Sequence, residues 1–431
     1  MTDTPQASID QQYTALSQNF GYWEKIKDLI DNTIDVTLNY RQSGHPGGSR
    51  SKVHMLVSLL LSGAMRWDIR RPDKRFGDRF VLSGGHTIPL VYCTLAVFNE
   101  ALRGKYQQTK DPRYLVYKAP ERALTWEDLL KFRRRGGLSG HAEMEGKTLF
   151  LKFNTGPSGH GNPAAAGEAF ALKRAGASGV KVFAVEGEAG LTPGVVHETM
   201  NSAWGLGLDN LYFLIDWNDF GIDDQPVSKV VYGTPDDWFG AHGWRVFGTQ
   251  QGSEWSEVLS TLLSATLGEN PQDVPTAAWF KTRKGRGYLK YDNLSHGVPH
   301  KLNSELFWET KRPFAEKYGA EFANIGGAAP TDPDALRQEF AENLQVVMSV
   351  LQRDQALVDY LADTLVEIGD SVPVDLPTLK VGSSGSPFTD KRVFDFKNYP
   401  DELFEKPGAS AANRAGLAKW GAWVNAFGAK N

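Results

Sequence analysis

Over the first 325 positions, apolar runs alternate with stretches of mixed polarity. Tyr22, Ile26, Leu29, Ile30, Ile34, Val36 and Leu38 recur at helical spacing. That pattern ends near a glycine-rich loop, SGHPGGS (Ser43–Ser49), and a second helix is expected through Leu61. Arg79–Leu82 reads as a short strand, followed by Ser83-Gly84-Gly85-His86 and a helix from Ile88 to about Glu100. Residues 103–150 are basic, irregular and punctuated by glycine. A small-residue loop, FNTGPSGHGN (Phe153–Asn162), leads into an alanine-rich helix over 163–175. Lys181–Val185 and Leu211–Ile215 are continuous apolar runs, as buried parallel strands require, with a helix over 195–204 between them. Gly243–Phe247 and Ala277–Lys281 complete the strand set. Strands alternating with helices predict an α/β fold, a doubly wound parallel sheet with ligand loops at the strand C-termini.

The character changes near residue 325. Residues 1–325 are expected to form one ligand-binding domain. Residues 326–410 read as a helical linker and an extended connector, with amphipathic helices over 335–369 and a proline-rich stretch over 371–410. Residues 411–431 begin a new helix.

Composition narrows the class. The 431 residues carry 47 Lys plus Arg against 51 Asp plus Glu, a net charge of −4. A general nucleic-acid binder would show a basic excess instead. One cysteine, Cys93, excludes a disulfide framework within the chain and fits a reducing compartment. The polar start lacks the pattern of a signal peptide, and the longest apolar stretch, Val53–Met65, is too short to span a bilayer. A cytoplasmic location is expected.

The chemistry concentrates at two predicted strand ends. Gly187-Glu188-Ala189 follows one strand, and Asn218 follows the next, thirty positions after Glu188. Adjacent parallel strands set these loops side by side. A carboxylate, a side-chain amide and a nearby main-chain carbonyl, that of Phe220, then converge. Such hard oxygen donors suit Mg²⁺ or Ca²⁺ rather than zinc. Glu186 competes for the carboxylate role if the register shifts. Gly156-Pro157-Ser158-Gly159 should expose backbone polar groups to a flat ligand. Four or five of the nine histidines lie in glycine-rich loops, where imidazoles can hydrogen-bond phosphate oxygens and stabilise developing negative charge.

Together these motifs resemble the transketolase family of thiamine-diphosphate enzymes. SGHPGGS, SGGH, GHAE, TGPSGHG, GVVHETMNSAWGLGLDNL, DWNDFGID and FGAHGWRVF follow that family's order over roughly residues 20–310. The resemblance implies the N-terminal, diphosphate-binding half of an enzyme that moves a two-carbon ketol unit between sugar phosphates. It implies a metal (Mg²⁺ or Ca²⁺) on Glu188, Asn218 and the Phe220 carbonyl. Gly156, Pro157, Ser158, Gly187, Ala189 and His296 are expected to bind the cofactor. His45, His86, His141 and His300 are expected around the reacting atoms, with His296 and His300 as alternatives for one family histidine. The sequence departs from the family pattern at Glu188, usually Asp, at Pro193, often Glu, and at Ser158 and His160. The pyrimidine-binding half is absent, and residues 411–431 resemble its first helix or a partner-docking helix. The resemblance therefore implies a dimer or α₂β₂ assembly with a second chain. The helices over Met55–Leu61 and Val195–Trp204 would supply the dimer interface, and the tail from about 371 would lie across the partner. Two other readings are a different thiamine-diphosphate enzyme, of deoxyxylulose-phosphate synthase or 2-oxo-acid dehydrogenase type, and a non-catalytic assembly subunit.

Overall fold

Five strands form one parallel sheet in the order β1-β2-β3-β5-β4: β1 (Arg79–Leu82), β2 (Val182–Gly187), β3 (Leu211–Trp217), β4 (Arg245–Thr249) and β5 (Thr276–Lys281). This is a computed structural model; it describes residues 5–430 except 224, 290, 291, 294, 298 and 380–389, with side chains from 8 to 427. All five predicted strands are present, each within two or three residues of its expected bounds.

The strands are apolar on both faces because each face has its own core. Phe183 and Val185 of β2 and Tyr212 and Leu214 of β3 face one cluster. Val182 and Ala184, with Leu211, Phe213 and Ile215, face the other. This period of two, with no polar face, is the mark of a sheet covered on both sides. The first face carries the helices Phe20–Arg41, Val53–Leu61, Ile88–Thr109 and Trp255–Leu267. The second carries Gly161–Arg174 and Gly194–Gly205.

Two expectations need correction. The helix Val53–Leu61 is apolar all round, and every one of its residues is buried inside the chain itself. It belongs to the core, as an all-round apolar helix should, and it offers no face to a second copy. The segment after 325 is also no mere linker. Helices Pro333–Gln352 and Gln355–Asp370 send Phe340, Leu344, Val347, Leu357, Leu361 and Leu365 into the first core cluster. Contacts divide the chain into one unit of residues 1–173 and 178–375 and a second of 174–177 and 376–431. Of the tail expected to cross a partner, 380–389 lie outside the described residues, and Asn413–Lys430 is helical. Among the described residues, no helix is long and apolar enough to cross a membrane.

Buried ion pairs fix the loops of the first unit. Asp35, on the helix Phe20–Arg41, accepts from Arg50 Nη1 and from Lys311 Nζ, both at 2.7 Å. Arg286 donates to Asp31 at 2.9 Å and Arg50 to the Arg286 carbonyl at 2.9 Å. These contacts clamp the short helix Pro46–Ser51 and the loop after β5 to one long helix, and both borders of the site rest on them.

Candidate active site

The loops after β1, β2, β3 and β5 open onto one cavity of about 390 Å³, with Lys52, His86, Ser158, Glu186, Gly187, Glu188, Ala189, Asn218, Phe220, Lys284 and His296 among its walls. Register explains why. Gly187 pairs with Asp216 across β2 and β3, so the residues that follow these two strands leave the sheet together.

Glu188 is fully buried. Its Oε2 accepts from the Asn218 backbone N–H at 3.2 Å, while Oε1 has no partner. Burial, reinforced by the nearby Asp216 carboxylate, pushes its pKa up to about 8. The Asn218 side chain donates to Asp216 Oδ2 at 2.7 Å, and its Oδ1 accepts from the Phe220 N–H at 3.1 Å. That leaves the amide oxygen a second lone pair. Glu186 differs: its two oxygens accept from the Gly187 N–H at 2.9 Å and the Gly159 N–H at 3.4 Å. A Cβ on Gly84 would sit 2.6 Å from Glu186 Oε1, so glycine there makes room for this carboxyl. The oxygen left without a partner therefore belongs to Glu188.

Asp216 is the anchor beneath. Ser51 donates to it at 2.6 Å and Lys52 at 2.9 Å, and the Thr282 hydroxyl donates as well. Burial alone would raise its pKa; Lys52 and these hydroxyls bring it below the usual value. Sequence reasoning did not single out Lys52, Asp216, Thr282 or Lys284. Lys284 could have been noticed as a lysine next to Gly285, just past a strand end, in KTRKGRG.

Three of the predicted histidines form a cluster. Ring centroids of His45 and His86 lie 5.0 Å apart, and each lies 5.2 Å from His296. Burial first, then neighbouring cations, lowers their pKa values: His45 to about 4 with Arg133 beside it, His86 to about 2 with Lys52, and His296 to about 4 with Lys284. All three rings are neutral at pH 7 and can both donate and accept. His141 is exposed, its ring carbon Cδ2 3.9 Å from where a Cβ on Gly156 would lie. Pro157 and Ser158 are exposed in the same loop, and Gly156 is half-buried.

His300 is elsewhere. It is buried and stacked on Tyr288, with centroids 3.8 Å apart, and the Tyr288 hydroxyl accepts from the His300 backbone N–H at 2.9 Å. Of the two alternatives for one family position, the structure brings His296 to the site and sets His300 in the packing behind it.

Among the described residues, no three His, Cys, Asp or Glu side chains cluster as metal ligands. A divalent ion here has to use a mixed set. Glu188 Oε1, buried and unpartnered, and Asn218 Oδ1 fit one. The Phe220 carbonyl already accepts from Lys284 Nζ at 3.2 Å.

Residues 113–322 match the family described as transketolase, thiamine diphosphate binding domain. The transketolase of Halalkalibacterium halodurans is 27% identical over 313 residues, 69% of this chain and 42% of that protein. Transketolase 2 of Xanthobacter flavus is 31% identical over 272 residues, 60% of this chain and 35% of that one. The transketolase structure from Leishmania mexicana superposes with a TM-score of 0.58 at 24% identity, covering 79% of this chain and 47% of that one. The chain spans about half, or less, of the length of these relatives. Residues 113–322 therefore match the transketolase thiamine-diphosphate-binding domain family, and the chain is similar to the N-terminal half of a transketolase in sequence and fold.

Proposed function

We propose that this chain is the diphosphate-binding half of a thiamine-diphosphate-dependent transferase that moves a two-carbon ketol unit between ketose and aldose phosphates. The observation that carries this reading is Glu188. One of its oxygens is tied to Asn218, thirty residues on, and the other is buried and without a partner in a residue that borders the cavity. An unpartnered buried carboxylate oxygen is costly unless a ligand completes it. Glu188 Oε1 and Asn218 Oδ1 would hold Mg²⁺ or Ca²⁺. Bound thiamine diphosphate supplies an electron sink at a carbonyl carbon.

The residues here position and protonate. Gly187 and Ala189, which line the cavity, would border a bound diphosphate. The neutral imidazoles of His45, His86 and His296 donate to phosphate or sugar oxygens without charge repulsion from the lysines. His141, exposed beside Gly156, would orient the incoming sugar. A pyrimidine-binding half would complete the site, so residues 1–431 tested without one should not turn over. Titration of thiamine diphosphate and Mg²⁺ into the chain, alone and mixed with a pyrimidine-binding half, tests the reading. Binding without sugar-phosphate turnover by the chain alone, and turnover in the mixture, is the expected result. Unaided turnover would show the split-site reading wrong.

A further inference from the structure

The cavity already contains a cation. Lys284 follows β5 and is 2% exposed. Its ammonium donates to the main-chain carbonyls of Phe220, at 3.2 Å, and Gly221, and it lies 3.2 Å from His296 Nδ1. The other lysine of the cavity, Lys52, is committed to Asp216. Lys284 makes no ion pair with a carboxylate among the described residues; its partners are neutral oxygens and an imidazole nitrogen. Its nitrogen faces two carbonyl oxygens, which only a donor can satisfy, as an ammonium does. An ammonium has donors only, so the facing Nδ1 of neutral His296 accepts and its N–H lies on Nε2.

This arrangement bears on both ligands proposed above. The Phe220 carbonyl is the third oxygen of the proposed metal set, and a divalent ion on it would sit beside a buried positive charge. A bound diphosphate, in contrast, would gain a counter-charge that the protein itself supplies. We propose that Lys284 is a resident cation of this site: it competes with a divalent ion for the Phe220 carbonyl and neutralises part of the charge of a bound diphosphate, so that this chain holds a diphosphate with reduced dependence on metal. The inference rests on the proposed diphosphate site, and its test uses probes other than the cofactor.

A merely structural Lys284, tying the loop after β3 to the loop after β5, predicts a loss of stability on substitution and no gain in metal affinity. The two roles separate in a Mn²⁺ titration of the full chain at pH 7, read by the electron paramagnetic resonance signal of free Mn²⁺. Lys284→Met should bind Mn²⁺ at least about tenfold more tightly than wild type, because a buried like charge has been removed. Lys284→Arg should show no gain, and Glu188→Gln placed in the Lys284→Met background should abolish it. Lys284→Gln, which keeps a donor for the two carbonyls, serves as the uncharged variant if Lys284→Met does not fold. In parallel, inorganic pyrophosphate affinity should fall on adding EDTA by less than about tenfold in wild type and by about a hundredfold in the uncharged variant. Equal Mn²⁺ affinity in wild type and the uncharged variant, or equal EDTA sensitivity, would overturn the proposal. Failure of thiamine diphosphate to bind any form, with the Mn²⁺ and pyrophosphate differences intact, would instead refute the cofactor assignment and leave Lys284 as the cation of an anion site.

Discussion

Replacing Asp35 by alanine strips the carboxylate from between two buried cations. Asp35 is 1% exposed, Lys311 is fully buried and Arg50 is nearly so. Arg50 retains the carbonyls of Arg286 and Asp31 and lies 3.6 Å from the Asp31 carboxylate. Among the described residues, Lys311 retains the Asn32 side-chain oxygen at 2.7 Å as its hydrogen-bond partner and lies over the Phe307 ring. Breaking a buried pair by removing one partner costs about 3–5 kcal/mol. Lys311 can limit that cost by losing its proton. Neutralising a lysine of ordinary pKa at pH 7 costs about 4.6 kcal/mol, so the total should not much exceed that figure. The sign of the pH effect follows. With Lys311 neutral in the folded variant and protonated when unfolded, the unfolded state binds more protons, so stability rises with pH. Urea unfolding followed by circular dichroism should therefore show the largest deficit near pH 7 and a smaller one at pH 9. Asp35→Leu combined with Lys311→Met should recover at least about half of the single-variant loss, since no unpaired charge then remains beyond Arg50. A loss below about 1 kcal/mol in Asp35→Ala, or strict additivity in the double variant, would refute this account of the network. Function should suffer too, because Arg50 holds the helix that follows His45 and carries Ser51 to Asp216.

Three further outcomes are expected. His45 and His296 have folded pKa values near 4, below the unfolded value, so the unfolded state binds more protons between about pH 4 and pH 6.5 and the cofactor-free protein should lose stability as pH falls through that window; a His45→Gln/His296→Gln variant should show a flatter acid limb in thermal melts. Glu188→Ala should abolish metal-dependent binding of thiamine diphosphate, measured by calorimetry, and wild-type affinity in that variant would move the assignment to Glu186 or to no metal. His300→Leu should cost about 1 kcal/mol through its lost stacking on Tyr288 and leave cofactor affinity within about twofold, whereas His296→Ala should weaken binding clearly.

How much was legible in the sequence depended on what each residue answers to. The strands were visible because sheets covered on both faces demand unbroken apolar runs, as β2 and β3 supply. The Glu188–Asn218 pairing was visible because parallel neighbours in register place both loops at one edge. His296 and His300 could not be separated, since both follow the same loop and only packing against Tyr288 sends one backward. The helix Val53–Leu61 was misjudged as an interface: apolarity alone does not say whether the partner is another copy or the rest of the chain. The helices after 325 read as amphipathic, but the destination of their apolar stripes, the helices Phe20–Arg41 and Ile88–Thr109, is not visible in the sequence. Lys284 went unnoticed because no spacing rule marks a lysine that bonds to carbonyls 63 and 64 positions earlier.

The central claim is that Glu188 and Asn218 build a metal-assisted diphosphate site. Quenching of tryptophan fluorescence by thiamine diphosphate, with Mg²⁺ at pH 7, reads it directly, since Trp217 adjoins Asn218 at the end of β3. The account predicts saturable quenching that inorganic pyrophosphate reverses and that a Glu188→Ala/Asn218→Ala variant, while still folded, shows only at higher cofactor concentration and without dependence on Mg²⁺. Identical quenching in that variant, or none in wild type at millimolar cofactor, would contradict it.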